Sequence, residues 1–417
     1  MPEPIAPYHE RLQDLERELA ERGSLGVLVL DASPLATIED EYGTAAYEEV
    51  RQRIFKILDE SKGKDYRQGD VLCLDRPRGL RFLFILDRKR RRNLPLSVAD
   101  LKTARGRVVS SLVEKFTKAA YPYAKRDNPQ KDSPPPVVGH GLAVYNPLLH
   151  AERVIERAMD AAVLQAAQLR EADELSKLER LQDVLLRERV VTSYQPILRM
   201  QEGTVMGFEA LSRGPKGSGL ESPAELFRTA KRHGLRVELD RLCRNRALLS
   251  SARIPSNAKI FVNTLPATMR DPQFRDKALI DFLDRAQVRP ERIVIEITEE
   301  EVIENHGIFR DTMAYFSDLG MSFAVDDVGA GYSGLDTISN LRPAYLKIDM
   351  KLVHEVNINP VNRSMVKAII HLGHGINAKV IAEGIEKEEE SQVLRAMGVD
   401  YGQGYHLARP DAGQEPS

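Results

Sequence analysis

Ser322-Phe-Ala-Val-Asp-Asp327 is a short apolar run that ends in two adjacent carboxylates, and its pattern organises the whole carboxyl-terminal half of the chain. Four to eight residues rich in β-branched and aromatic types, bounded by polar residues, predict a strand. Seven further runs of this kind alternate with helical segments: Val190 to Tyr194, Thr204 to Leu211, Lys259 to Asn263, Arg292 to Ile297, Tyr345 to Ile348, Lys379 to Ala382 and Gly404 to Leu407. Eight strand-plus-helix units predict a TIM-like (β/α)8 barrel rather than an open sheet.

Side chains at the carboxyl ends of barrel strands converge on one face, where the active sites of this fold lie. The residues at those ends are Glu209, Asn263, Glu296, Asp326 with Asp327, Lys347 and Glu383. A polar residue at one strand end can simply cap the next helix or face solvent. On six strands together, that reading fails. Five carboxylates on one rim repel each other and become neutral unless cations compensate them. Oxygen donors without Cys or His favour Mg²⁺ or Mn²⁺ over zinc, and two such ions suit in-line attack on a phosphodiester.

The remainder of the composition restricts the setting. With 60 Lys+Arg against 62 Asp+Glu the net charge is −2, so no global field draws the chain to nucleic acid or to an anionic membrane. Cys73 and Cys243 are the two cysteines, which supports neither a disulfide framework nor a Cys-based zinc site. No run approaches the roughly 20 apolar residues of a membrane span. The start, Met1-Pro2-Glu3-Pro4, lacks the regions of a signal peptide. Cytoplasmic location is the expectation.

Outward from the barrel, residues 1–23 predict a short helix with Leu12, Leu15 and Leu19 on one face, packing on its own domain rather than dimerising. The run Leu25 to Leu30, a helix near Tyr42 to Leu58 and the run Leu80 to Leu86 give an α/β domain over 24–170, interrupted by a proline-rich loop ending at Pro136. A helical connector is expected over 171–189, and the barrel over 190–412. The run Arg88 to Arg92 reads as a solvated face, and His371 with His374 as structural.

From about Arg180 to Pro410 the chain resembles the EAL-domain phosphodiesterases. Glu209-Ala210-Leu211 is their signature, joined by Tyr194-Gln195-Pro196-Ile197, Glu296-Ile-Thr-Glu299, Asp326-Asp327-Val-Gly-Ala-Gly-Tyr-Ser333, Leu346-Lys347-Ile-Asp349, Glu383-Gly-Ile-Glu386 and Gly402-Gln403-Gly-Tyr405. The resemblance implies hydrolysis of cyclic di-GMP to pGpG with two Mg²⁺ or Mn²⁺ ions, by a homodimer that needs neither nucleic acid nor membrane. It implies Glu209, Asn263, Glu296, Asp326, Asp327, Glu383 and Gln403 as metal ligands, and Glu209, Lys347 and Glu383 as catalytic residues. Lys347 would position or activate the attacking water, its pKa lowered by the two ions. Gln195, Leu211, Arg213 and Asp240 would bind substrate, and Glu299 would anchor the mobile loop. Val328 and Ala330 depart from the usual Phe and Thr of that loop.

Residues 24 to about 170 resemble a GGDEF domain, through Val27 to Asp31, Ile38 to Gly43 and Val137 to Ala143. The signature itself is replaced by Arg78-Gly79-Leu80-Arg81-Phe82, so a positive charge stands where Mg²⁺ should bind. The resemblance therefore implies no synthesis of cyclic di-GMP, leaving a GTP-sensing module or a scaffold. For the whole chain, a receptor that binds cyclic di-GMP without cleaving it is the alternative to an enzyme, and a nuclease ranks third.

Overall fold

The computed structural model describes residues 5–86, 96–120, 136–298, 306–329 and 342–411. It forms two compact units, Met1–Ser176 and Lys177–Ser417, and the helix Ala151–Leu186 carries the chain from the first into the second. Among the described residues, no helix is long and apolar enough to cross a membrane.

In the first unit, β1 (Ser24–Asp31), β2 (Val71–Leu74), β3 (Arg81–Leu86) and β4 (Val137–Val144) form an antiparallel sheet ordered β2-β3-β1-β4. Every residue of β1 is buried, because successive side chains enter different cores. Leu25, Val27 and Val29 pack with Leu15 and Leu19 of the helix Leu12–Arg22 and with Ala158 and Ala162. Leu28 and Leu30 pack with Ile54, Leu58, Leu101 and Phe116. On β4, a Cβ at Gly139 or Gly141 would lie within 2 Å of the Ala162 or Ala158 carbonyl oxygen, so only glycine lets this helix approach so closely. The basic run Arg88 to Arg92 lies outside the described residues.

The second unit is a closed barrel of β5 (Val191–Arg199), β6 (Val205–Arg213), β7 (Lys259–Asn263), β8 (Ile293–Thr298), β9 (Ser322–Val328), β10 (Tyr345–Ile348), β11 (Lys379–Ala382) and β12 (Tyr401–Gly402), with β12 closing on β5. Two details correct the expectation of eight repeating units. First, β5 is antiparallel to both neighbours, β6 and β12. Only residues 200–204 join β5 to β6, too few for the crossover of a dozen or more that a parallel pair requires. Second, the last strand is Tyr401–Gly402. Residues Gly404 to Leu407 turn instead, with the amides of Leu407 and Ala408 both donating to the Gly404 carbonyl.

One apolar side chain from each strand meets inside the barrel: Ile197, Met206, Phe261, Val294, Ala324, Tyr345, Ile381 and Tyr401. This cluster is the floor on which the site stands.

Candidate active site

Side chains two residues apart on a strand point the same way. From that floor, two residues further toward one mouth lead to Gln195, Asn263, Glu296, Asp326, Lys347, Glu383 and Gln403. Strand β6 supplies Glu209, three residues past Met206. The extra residue is absorbed where the pairing of β5 with β6 shifts register, Ile197 facing Gly207 and Leu198 facing Val205. Each of the eight strands thus contributes one polar residue to a single ring, within the strand or just past its end.

Lys347 is at the centre, fully buried. Its Nζ lies 2.7 Å from Glu296 Oε1 and from Glu383 Oε1, 3.2 Å from Asp326 Oδ2 and 3.5 Å from Glu209 Oε2. Glu209 is held from both sides: Gln403 Nε2 donates to Oε2 at 2.6 Å and Asn263 Nδ2 to Oε1 at 3.3 Å. Gln403 also donates to Gln195 Oε1 at 3.1 Å.

A local irregularity brings in a further carboxylate. In a regular strand Asp326 and Asp327 would face opposite ways. Here Leu346 pairs with Val325 and Ile348 with Val328, so Lys347 faces two residues of β9 rather than one. Asp327 takes the left-handed conformation, φ +57°, which Asp tolerates better than most residues. Its carboxylate consequently joins the cluster beside Asp326, whose Oδ1 accepts from the Asp327 amide at 2.9 Å.

The electrostatics are those of an acidic cluster that one ammonium does not neutralise. Burial pushes the Glu296 carboxyl well above its usual range, against the pull of Lys347, and Glu383 behaves alike. Asp327 is pushed up to about 7, by burial and then by Asp326 and Asp349. Burial alone would lower Lys347, but Asp326, Glu209, Glu296 and Glu383 hold it charged, well above its ordinary value. This is the direction for the cation-free cluster, and the lowering expected beside two cations concerns the loaded site. Gln403 Oε1 is buried without a hydrogen-bond partner, as are both Glu296 oxygens apart from the Lys347 ion pair. Glu209, Glu296 and Asp326 bring one oxygen each within 4.8 Å of one another, as do Asp326, Asp327 and Glu383. Two oxygen-only triads sharing Asp326 fit hard divalent cations.

The other expected residues are placed as follows. Arg213 is exposed at the end of β6, on the same face as Glu209, with Leu211 half-buried between them. Asp240 sits on the helix Arg236–Leu249 and its carboxylate is fully engaged. Oδ2 takes Arg244 Nη1 at 2.8 Å and Thr268 Oγ1 at 2.5 Å, and Oδ1 takes the Leu265 amide at 3.0 Å. Glu299 and Ala330 lie outside the described residues, while Val328 is buried in the apolar cluster with Val325, Ile348 and Ile369. His374 is paired with Asp400 at 2.9 Å, at the start of β12 rather than in the ring. Asp349, to which the sequence reading gave no role, is buried and hydrogen-bonded to Asp327. Its signal was the spacing, two residues beyond Lys347 on a strand of alternating faces.

A family model described as the EAL domain matches residues 178–410, more than half of the chain. The protein is 29% identical over 238 residues to the probable cyclic di-GMP phosphodiesterase PdeG of Escherichia coli (strain K12), covering 56% of this chain and 46% of that one. It is 25% identical over 397 residues to the uncharacterized protein sll1895 of Synechocystis sp., covering 93% of this chain and 55% of that one. The chain spans about half the length of these curated relatives. Among solved structures, the PaMucR phosphodiesterase in complex with c-di-GMP is 27% identical with a TM-score of 0.51, covering 56% of this chain and 96% of that one.

Proposed function

The chain belongs to the EAL-domain family, and from that premise we propose that it hydrolyses cyclic di-GMP to linear pGpG. The observation that carries this reading is the completeness of the polar ring, with one member from each strand and Lys347 within 3.5 Å of four carboxylates. A protein that only bound the nucleotide would have no need of this full set, which argues against the receptor alternative.

Glu209, Asn263, Glu296 and Asp326 would hold one Mg²⁺ or Mn²⁺ ion, and Asp326 with Asp327 and Glu383 a second, with Gln403 completing the shell. Such ions supply polarisation of the phosphodiester and a nucleophile at neutral pH. Lys347, within 3.5 Å of four carboxylates of the ring, would orient the attacking water by hydrogen bonding and offer positive charge to the phosphoryl oxygens. Glu383, 2.7 Å from that ammonium, is the carboxylate positioned to accept a proton. Arg213, above Glu209 on β6, suits a substrate phosphate through its forked guanidinium.

For the amino-terminal unit we propose a degenerate GGDEF-like scaffold without cyclase activity. Asp31, the carboxylate ending β1, faces Arg81 Nε at 3.4 Å and Arg170 Nη2 at 3.5 Å, and Ser33 donates its amide at 3.1 Å. Two guanidiniums thus stand where a cation would be needed.

Incubation of the whole chain with cyclic di-GMP and Mg²⁺ or Mn²⁺, followed by chromatography, tests the first proposal. Formation of pGpG is expected, and tight binding without product would overturn it. Incubation with GTP tests the second, and appearance of cyclic di-GMP would refute it.

A further inference from the structure

Glu390 is a carboxylate with no solvent exposure that lies outside the ring, on the helix Glu388–Ala396 that follows β11. Burying such a group is costly unless hydrogen bonds satisfy it. Here backbone amides do so from two directions. Oε2 accepts from Glu386 at 3.0 Å and from Lys387 at 3.1 Å, as an acidic residue at the third helical position does when it caps the start of its own helix. Oε1 crosses to a different loop and accepts from the Glu355 amide at 3.1 Å, with His354 Nδ1 at 3.6 Å. The cap uses only the first oxygen, so the helix does not account for the second.

The two loops that meet at Glu390 are those that leave Lys347 and Glu383. The first runs from Lys347 through Asp349 and the short helix Met350–Val353 to Glu355, and the second from Glu383 to Lys387. They are in contact near the ring: the Glu383 amide donates to the Ile348 carbonyl at 3.2 Å, and a Cβ at Gly384 would lie 2.5 Å from that of Met350. Strands β10 and β11 fix one end of this pair of loops, and Glu390 fixes the other. We propose that Glu390 is a positioning residue for the reaction: by tying the loop after β10 to the loop after β11, it holds Glu383 at 2.7 Å from Lys347 Nζ and ready for the second cation. This inference rests on the hydrolase reading above.

Glu390→Asp separates the two contacts. Aspartate caps at the third helical position, as Asp100 does for the helix Val98–Val108 by accepting the Ser97 amide at 3.1 Å, but it is one methylene too short to span to Glu355. Glu390→Gln keeps the length and one acceptor oxygen. Asn362→Ala is the control: Asn362 Nδ2 donates to the Lys351 carbonyl at 3.2 Å and to that of His354 at 2.9 Å, bracing the first loop from its own side without touching the second.

For the full chain and each variant, Mn²⁺ binding without nucleotide is read by electron paramagnetic resonance of the free ion, hydrolysis of cyclic di-GMP by steady-state kinetics, and folding by a thermal melt. Glu390→Asp is expected to weaken Mn²⁺ binding about tenfold and lower kcat about tenfold, with KM within about twofold of wild type. Glu390→Gln is expected to lose less of both. Asn362→Ala is expected to melt lower, with the Mn²⁺ affinity and kcat of wild type. Wild-type Mn²⁺ affinity and kcat in Glu390→Asp, a loss in Glu390→Gln as large as in the aspartate variant, or the same losses in Asn362→Ala would each overturn the positioning role. Absence of pGpG from the wild type would overturn the hydrolase reading, and the Mn²⁺ titration alone would then decide whether Glu390 holds Glu383.

Discussion

Lys347 Nζ and Glu296 Oε1 are 2.7 Å apart, and neither side chain reaches solvent. An ion pair buried this completely is costly to break from one side, because the remaining charge is left without a partner. Replacing Lys347 by Met should lower the stability of the cation-free protein by about 3–5 kcal/mol and abolish turnover. Thermal melts in EDTA and in Mn²⁺ check this: the stabilisation by Mn²⁺ should be larger in Lys347→Met than in wild type. Equal melting of both proteins in EDTA would contradict the role given to the lysine.

Glu209 is gripped by Gln403 and Asn263 but lies above the apolar floor, not within it. Glu209→Ala is expected to reduce pGpG formation by orders of magnitude while the barrel stays folded by circular dichroism. Activity retained in that variant would refute the site assignment.

The raised carboxyls make the cation-free protein pH-sensitive in a definite direction. Asp327 is near 7 when folded against 3.8 for a free aspartate, so between about pH 4 and 7 the folded state holds a proton that the unfolded chain releases. Its stabilisation is complete below about pH 4 and is lost as pH rises through 7. Glu296 and Glu383, also raised, act with the same sign. In EDTA the melting temperature should fall from pH 5 to pH 8, and Asp327→Asn should flatten that fall. A melting temperature that climbed over this range would show the sign to be wrong.

Asp240, a substrate residue by resemblance, is bound to Arg244, itself buried and stacked 3.9 Å from the Phe274 ring centroid. Its hold on the Leu265 amide fixes the chain two residues beyond Asn263. Asp240→Ala should therefore destabilise the barrel by about 3–5 kcal/mol, read by urea unfolding. A variant that unfolds at the wild-type urea concentration would overturn this structural role.

The strand ends were legible in sequence because a buried strand must be apolar until it reaches the mouth, where the first polar residue announces the site. Runs such as Ile293 to Ile297 carry that signal plainly. Strand direction leaves no such mark in composition, so the reversed β5 had to come from the short turn at 200–204. The two-residue β12 is shorter than any periodic signal, and the apolar residues of Tyr405 and Leu407 drew the reading past it. Asp327 was legible as a carboxylate at a strand end, but not the backbone that brings it in, and Asp349 was not read as a site residue at all. The first depends on one positive φ, which turns a residue that strict alternation sends outward, and the second on a face shared with Lys347.

Floor and ring divide the barrel's labour between an apolar and a polar layer. Substituting a ring member such as Glu209 leaves the eight apolar side chains beneath it in contact, so the scaffold survives the loss of its chemistry. An outer ligand can therefore be exchanged without rebuilding the barrel around it, whereas the central lysine cannot.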